Sequence, residues 1–406
     1  MKKKIIMVLA GSLWQVPIVK RIKSMGHKTL VVNLYEYSPA FAYADYSEIA
    51  DVLDAEKCLS IAKKYNIDAV LTEQSDIPMP TIAYVGEKLN LPTLGMMCAH
   101  LFTNKFMMRE YCKKYNFPSP TYKLCKSVED AISFFEKNDK KKIIIKPLDS
   151  NSSRGVFTIL SLSDIEKYFE KTLSFSHIEK AVLAEQYVEG TEFTIDGIML
   201  NGKHYSLAIS EKKHYKHNPN IAYQLYFSHY NEKFDYDKLR NVNDKIYEAS
   251  KLPNGCLTHV EYKYENGEFV LIEMAARGGG NLMSSEIVPL MSGVDNYSYL
   301  INSSLGLLKY VDISYEKILK KVRCAVLYFF DVPNKEGVVE AIEGLDFLEN
   351  NNSIVQYKLN FSIGDYLKKA EDDSKRIGFY IAYADDKEQL NKLINSINEK
   401  VKFIIK

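Results

Sequence analysis

A chain of 406 residues is longer than one hydrophobic core normally serves, so two to four subdomains are expected and a single small module is excluded. Lysine and arginine, 53 together, nearly cancel 52 aspartates and glutamates, which argues against a nucleic-acid or membrane surface that binds by bulk charge. Any polyanion site must be local.

The opening, MKKKIIMVLAGSLWQVP, has a basic tip and an apolar run, but the run is short and a proline follows closely, which fits a strand and a helix better than a signal peptide. No stretch is long enough to span a bilayer, so a soluble cytoplasmic protein is expected. KIIMVLA reads as a buried parallel strand, and QVPIVKRIKSMG as a helix with Val16, Val19, Ile22 and Met25 on one stripe, Pro17 in its first turn and Gly26 as its stop. KTLVVN, the helix from Ala55 to Tyr65, DAVLT and the helix TIAYVGEKLN continue a βαβ series with a parallel sheet. A dinucleotide site would need G-x-G-x-x-G after the first strand, and LAGSLWQ offers only Gly11.

From about residue 103 the character changes. TNKFMMREYCKKY is a helix with Thr103 as its cap, and FPSPTY is a proline-marked linker. Ser127 with Asp130, and Ser163 with Glu166, have the spacing of capping boxes. Residues 182 to 210 read as strand, strand, Asn-Gly turn, strand, and 256 to 274 repeat that pattern around ENGEF. VRCAVLYFF is a strand, and GFYIAYADDKEQLNKLINSINEK is a strand followed by an amphipathic helix. The six cysteines, at 58, 98, 112, 125, 256 and 324, form no CxxC pair or zinc spacing and read as reduced core thiols.

Three stretches carry chemistry. IIIKPLDSNSSRGV brings Lys146 out of an isoleucine run into a small-residue loop, where Ser152, Ser153 and Gly155 let the backbone approach an anion. AVLAEQYVEGTEFTID sets Glu185 and Glu192 around a short link whose backbone can meet a purine edge and whose acids can meet ribose hydroxyls. HVEYKYENGEFVLIEMAARGGG places Glu273 in an otherwise apolar strand, costly unless the carboxylate is paired or bound to metal. A plain Asn266-Gly267 turn would set Glu261 opposite Ile272 and leave Glu261 and Glu273 on opposite faces. A shared divalent cation therefore demands an odd-length loop or a β-bulge in this hairpin, and the bulge is expected. Arg277 and Gly278 to Gly280 follow, suited to a carboxylate or an oxyanion.

In order and spacing these pieces resemble the ATP-grasp superfamily, in particular its carboxylate–amine ligase branch, which is also similar to biotin carboxylase and carbamoyl phosphate synthetase. The resemblance covers nearly the whole chain and implies an α/β and α+β architecture. A Rossmann-like pre-ATP-grasp domain would span 1–100, an ATP-grasp domain of two subdomains clamping ATP 101–311, and a small α+β subdomain 312–406. It implies ATP and Mg2+, or Mn2+ in its place. Lys105 matches the first ATP lysine and Lys146 the second, while NSSRGV, with Ser152, Ser153, Arg154 and Gly155, matches the mobile loop covering the phosphates. Glu185 with the backbone of Gln186 and Val188 matches the adenine hinge, Glu192 the ribose contact, Glu261 and Glu273 the magnesium ligands, and Arg277 the arginine that orients the acyl substrate or steadies the tetrahedral intermediate. Where many relatives carry asparagine two places after the second metal glutamate, this chain has Ala275, so water or Asn281 takes that position or one metal is held more weakly.

The implied chemistry is phosphorylation of a small carboxylate, an amino acid for example, to an acyl phosphate that an amine then displaces, releasing ADP and phosphate. A bicarbonate-activating carboxylase and a nucleotide-binding module without catalysis are the alternatives. Expected partners are the small carboxylate and amine, with no nucleic acid or membrane, and a homodimer is common in similar proteins. Specificity is expected in EKKHYKHNPNIAYQLYFSHYN, through Lys212, Lys213 or His229, with His214 and His217 read as a basic solvated loop. Trp14 and Gln15 either line the acceptor pocket or join the core.

Overall fold

The computed structural model describes residues 3–139, 142–150, 154–177, 179–219, 221–321, 323–332, 336–369 and 375–406. The N-terminal block is a parallel four-stranded sheet in the order Tyr46–Ile49, Lys28–Asn33, Ile5–Leu9, Ala69–Leu71. Along its central strand Ile6 and Val8 face one layer of core and Met7 and Leu9 the other, so both faces are covered and the strand is apolar throughout. The outer strand Tyr46–Ile49 was not foreseen; only alternate residues of it are shielded, and its apolar signal is correspondingly weak.

Next comes an antiparallel sheet ordered Tyr122–Cys125, Val182–Gln186, Ile143–Pro147, Phe157–Ile159. Helices Val128–Lys137 and Leu162–Leu173 pack on one face through Ala131, Phe135, Ile165 and Phe169. Ser127 caps the first as expected. The second begins with a capping box of Ser161 and Asp164, two residues ahead of the expected Ser163 and Glu166. The helix Lys105–Tyr115 is capped by Asn104, whose side chain accepts from the Met107 N–H, whereas Thr103 turns back to the Ala99 carbonyl.

An eight-stranded antiparallel sheet forms the floor of the molecule, with Glu268–Ala275, Leu257–Glu265, Thr191–Leu200, Lys203–His214 and Ala222–Phe227 continued by Cys324–Phe329, Gly378–Ala384 and Ile354–Leu359. The last three strands come from the C-terminal block, so the sheet runs unbroken through the expected boundary near 312. That block adds a small sheet of Tyr366–Leu367, Gly337–Glu343 and Lys402–Ile405, and the helix Lys387–Lys400, whose Leu390, Ile394 and Ile397 are buried. All six cysteines are free and four are buried. No helix among the described residues is long and apolar enough to cross a membrane.

Candidate active site

The two antiparallel sheets face each other across a cleft of about 730 Å3, within the size range of nucleotide and cofactor sites. Its floor is set by strand alternation. Glu192, Thr194 and Asp196 point to one face, and in the adjoining strand Lys263, Glu261 and His259 stand opposite them in turn. The hairpin Leu257–Ala275 turns through Asn266 and Gly267, both with positive φ, as a two-residue loop of the type that matches strand twist. Its ladder runs regularly from Glu265 opposite Glu268 to Tyr262 opposite Leu271, then Ile272 is extruded and Glu261 pairs with Glu273. Leu271 and Glu273, two residues apart, thus face opposite ways. Leu271 joins Tyr262 in the core, and the two glutamates meet on the cleft face. This is the bulge the metal argument required, and Arg109 Nη2 donates to the Ile272 carbonyl at its apex.

The roof answers why a lysine ends an isoleucine run. Ile143 and Ile145 lie in the core, while Ile144 and Lys146 face the cleft, where Ile144 stands across the ladder from Glu185. Lys146 Nζ lies 2.7 Å from Glu185 Oε2, and Arg109 Nε donates to Glu185 Oε1 at 2.7 Å, with all three side chains buried. Burial lowers the Lys146 ammonium to about 8 despite the carboxylate beside it. For Glu185 burial works against charge, but Arg109 and Lys146 outweigh it and hold the carboxyl below its ordinary value. Both of its oxygens are therefore engaged by cations, and the Gln186 N–H donates to the Thr121 carbonyl. On the floor side, Lys105 Nζ lies 2.8 Å from Glu273 and 2.7 Å from the Ser150 carbonyl. Lysines 105 and 146, with Arg277, keep Glu273 ionised against the pull of burial.

Toward the cleft's other end Lys212 bridges Glu192 at 2.5 Å and Glu261 at 2.6 Å, and His214 Nε2 lies 3.2 Å from Glu192. Burial opposes the charge of both Lys212 and Glu192, yet their mutual attraction raises the lysine and lowers the glutamate. Arg277 meets Asp76 of the N-terminal block through Nε at 3.0 Å and Nη2 at 2.7 Å. Two carboxylates on one face, beside the Asn281 amide and two ammonium groups, suit Mg2+ shared with phosphate oxygens. Among the described residues no three His, Cys, Asp or Glu side chains group around a metal position.

Of the residues singled out from sequence, Lys105, Lys146, Glu185, Gln186 and Val188 line the cleft together with Glu192, Glu261, Glu273, Arg277 and Asn281. Asn281 holds a left-handed backbone, φ +55°, and Val188 offers its carbonyl to Lys263. Ser152 and Ser153 lie outside the described residues. Arg154 is exposed, and Gly155 is buried with φ +73°, where a Cβ would fall 2.6 Å from the Phe175 ring. Trp14 and Gln15 both line the cleft. His214 closes a strand and pairs with Glu192, rather than sitting in a solvated loop, because the strand Lys203–His214 runs further than its charge suggested. His229 is buried, with Nε2 against the Met291 carbonyl. Arg109, Asp76 and Asp196 were not foreseen: each reads as an ordinary surface residue until partners 76, 201 and 63 positions away fold against it.

Residues 140–286 match the family model described as an ATP-grasp domain. The chain contains an ATP-grasp domain. Residues 329–406 match L-amino acid ligase C-terminal domain 2, so two strands of the floor, Gly378–Ala384 and Ile354–Leu359, fall within that match, and they join the ATP-grasp part of the sheet through Cys324–Phe329, which lies between the two matched regions but for its last residue. Dapdiamide A synthase of Enterobacter agglomerans is 21% identical over 300 residues, covering 73% of this chain and 70% of that protein. The formate-dependent phosphoribosylglycinamide formyltransferase of Sulfurisphaera tokodaii is 24% identical over 189 residues, and the match spans about half of each chain, 46% and 47%. Among solved structures, L-amino acid ligase from Bacillus licheniformis aligns over 100% of both chains with a TM-score of 0.83 and 18% identity, which establishes the shared fold of the ATP-grasp domain and its flanking blocks.

Proposed function

We propose that this chain is an ADP-forming ligase that activates a small carboxylate, an amino acid, as an acyl phosphate and joins it to an amine. The observation that carries the reading is the bulged hairpin, which turns Glu261 and Glu273 toward the same cleft that holds the buried ammonium groups of Lys105 and Lys146. Relatives named as dapdiamide A synthase and L-amino acid ligase support it.

In this reading a substrate carboxylate oxygen attacks the γ-phosphorus of ATP, the bond to the ADP oxygen breaks, and Lys105 and Lys146 offset charge on the phosphate oxygens. Glu261 and Glu273, with Asn281 or water, would hold a divalent cation, which would supply positive charge to the phosphate oxygens. The amine nitrogen then attacks the acyl carbon and loses a proton, phosphate departs, and Arg277 stands beside the developing oxyanion. Glu185 keeps Lys146 in place, and the backbone around Gln186 and Val188 receives the adenine, with Glu192 near the ribose. The blocks 1–100, 101–311 and 312–406 act as acceptor wall, nucleotide clamp and outer wall, and the chain works in the cytoplasm as a homodimer.

Screening amino acids in pairs with ATP and Mg2+ tests this directly. ADP and phosphate released only when both members are present support the ligase; AMP and pyrophosphate reject the mechanism. Stimulation by bicarbonate alone moves the chain to the carboxylases.

A further inference from the structure

The stretch Glu73-Gln74-Ser75-Asp76, just past the strand Ala69–Leu71, touches the loop 277–282 at three points. The Glu73 carboxylate accepts from the Gly278 N–H at 2.8 Å, the Gln74 side-chain oxygen accepts from the Leu282 N–H at 3.1 Å, and Asp76 takes Nε and Nη2 of Arg277. Asp196, from the floor, takes the Gly279 N–H at 2.6 Å. Two carboxylates thus hold two consecutive backbone donors, and both are almost fully buried, Glu73 at 0% and Asp196 at 1% exposure. A Cβ at residue 278 would stand 2.4 Å from Glu73 Oε1, and one at 279 would stand 2.6 Å from Asp196 Oδ1, so the glycines are what allow this approach.

The stretch is itself pinned. Tyr297 donates to Glu73 Oε2 at 2.6 Å, Gln15 Nε2 donates to the Glu73 carbonyl at 2.5 Å, and Gln74 holds a left-handed backbone, φ +58°, while its amide nitrogen reaches the Trp14 carbonyl. Trp14 and Gln15 line the cleft. Docking two blocks needs only apolar contact, whereas a buried carboxylate costs free energy unless its hydrogen bonds are directed. Here Glu73, Asp76 and Asp196 each accept directed hydrogen bonds from residues 277 to 279, and for Glu73 burial still outweighs its hydrogen bonds and pushes the carboxyl up to about 7. Asp76 occupies one edge of the planar guanidinium, and Nη1 donates to the Gly278 carbonyl at 3.0 Å. Since the group carries five N–H bonds, both Nη atoms keep a hydrogen for a planar anion in the cleft.

We propose that Glu73 and Asp76 are positioning residues for Arg277, through which the N-terminal block sets the orientation of the arginine toward the substrate's reacting carboxyl group. The inference rests on the ligase reading and adds to it a role for a block otherwise described as a wall.

The test uses full-length Glu73→Gln, Asp76→Asn and the double variant, with MgADP affinity by calorimetry and ADP formation with the amino-acid pair found in the screen. MgADP affinity within about 2-fold of wild type, kcat at least about 10-fold lower in each single variant, and a double variant no more than about 3-fold worse than the weaker single are expected, because both act through one loop. Asp76→Glu, which restores a carboxylate, is expected to recover part of kcat. Unchanged kcat in the single variants overturns the proposal, as do losses that multiply in the double variant or an equal loss of MgADP affinity. If Glu73→Gln fails to fold, the half-buried Asp76 and its glutamate rescue decide alone. A wild-type chain that forms no ADP with any pair sinks the ligase reading and this inference with it, whereas an active wild type matched by both variants sinks the inference only.

Discussion

Glu185→Gln tests the charge balance of the roof. The carboxylate is 3% exposed and is the shared counter-ion of Arg109 and Lys146, themselves 0% and 5% exposed. The amide keeps the shape but removes the charge, leaving two buried cations side by side. Breaking a buried pair in this way costs about 3 to 5 kcal/mol. Lys146 can limit the loss by giving up its proton, and at pH 7 releasing it from an ordinary lysine costs about 5 kcal/mol, the same upper bound. A loss of that size lowers the melting temperature by roughly 10 °C in a domain of this size. Differential scanning fluorimetry with and without MgADP is the assay. Because phosphate oxygens return negative charge to Lys146, the stabilisation by saturating MgADP should be larger in the variant than in wild type. A variant that melts within about 2 °C of wild type, with an equal MgADP increment, would refute the counter-ion reasoning.

Lys146 also gives a pH profile. Its charge is full below about 8 and is lost above, so kcat/KM for ATP should fall on the alkaline side of pH 8. The unfolded lysine keeps its proton to higher pH, so between these values the unfolded state binds more protons and this group's contribution to stability rises with pH, which a urea series at pH 7.5 and 9.5 checks. Glu261→Gln and Glu273→Gln should each weaken Mn2+ binding, read by the free-ion EPR signal with MnADP, by at least about 10-fold. Lys212→Met should instead strengthen Mn2+ binding without nucleotide, since it frees Glu261 from an ammonium at 2.6 Å, and an unchanged affinity would show that the lysine does not compete with the ion.

Much of the cleft could be read before folding because its chemistry follows the strands. Alternation alone sends Lys146 away from Ile143 and Ile145, and the demand that Glu261 and Glu273 share a face implies a bulge that the hairpin contains. Partners contributed from afar stayed hidden. Nothing within the helix Lys105–Tyr115 marks Arg109 as fully buried; that follows from Glu185 and Ile272, brought together only by tertiary packing. Asp76 and Glu73 look like turn acids for the same reason. The sheet that continues across the expected boundary near 312 leaves no local trace, since its hydrogen bonds join strands Ala222–Phe227 and Cys324–Phe329, about 100 positions apart.

That continuous floor has a consequence for size selection. Between the strand bearing Glu261 and the one bearing Phe329 lie three others, and at the fixed spacing of a hydrogen-bonded ladder the two are separated by about 19 Å along the sheet. The cleft therefore contains a ruler graduated in strands, with acids at one mark and aromatic rings at the other. A molecule built across it is gauged by a length that no single side-chain substitution can alter, while the fit at either mark remains open to adjustment one residue at a time.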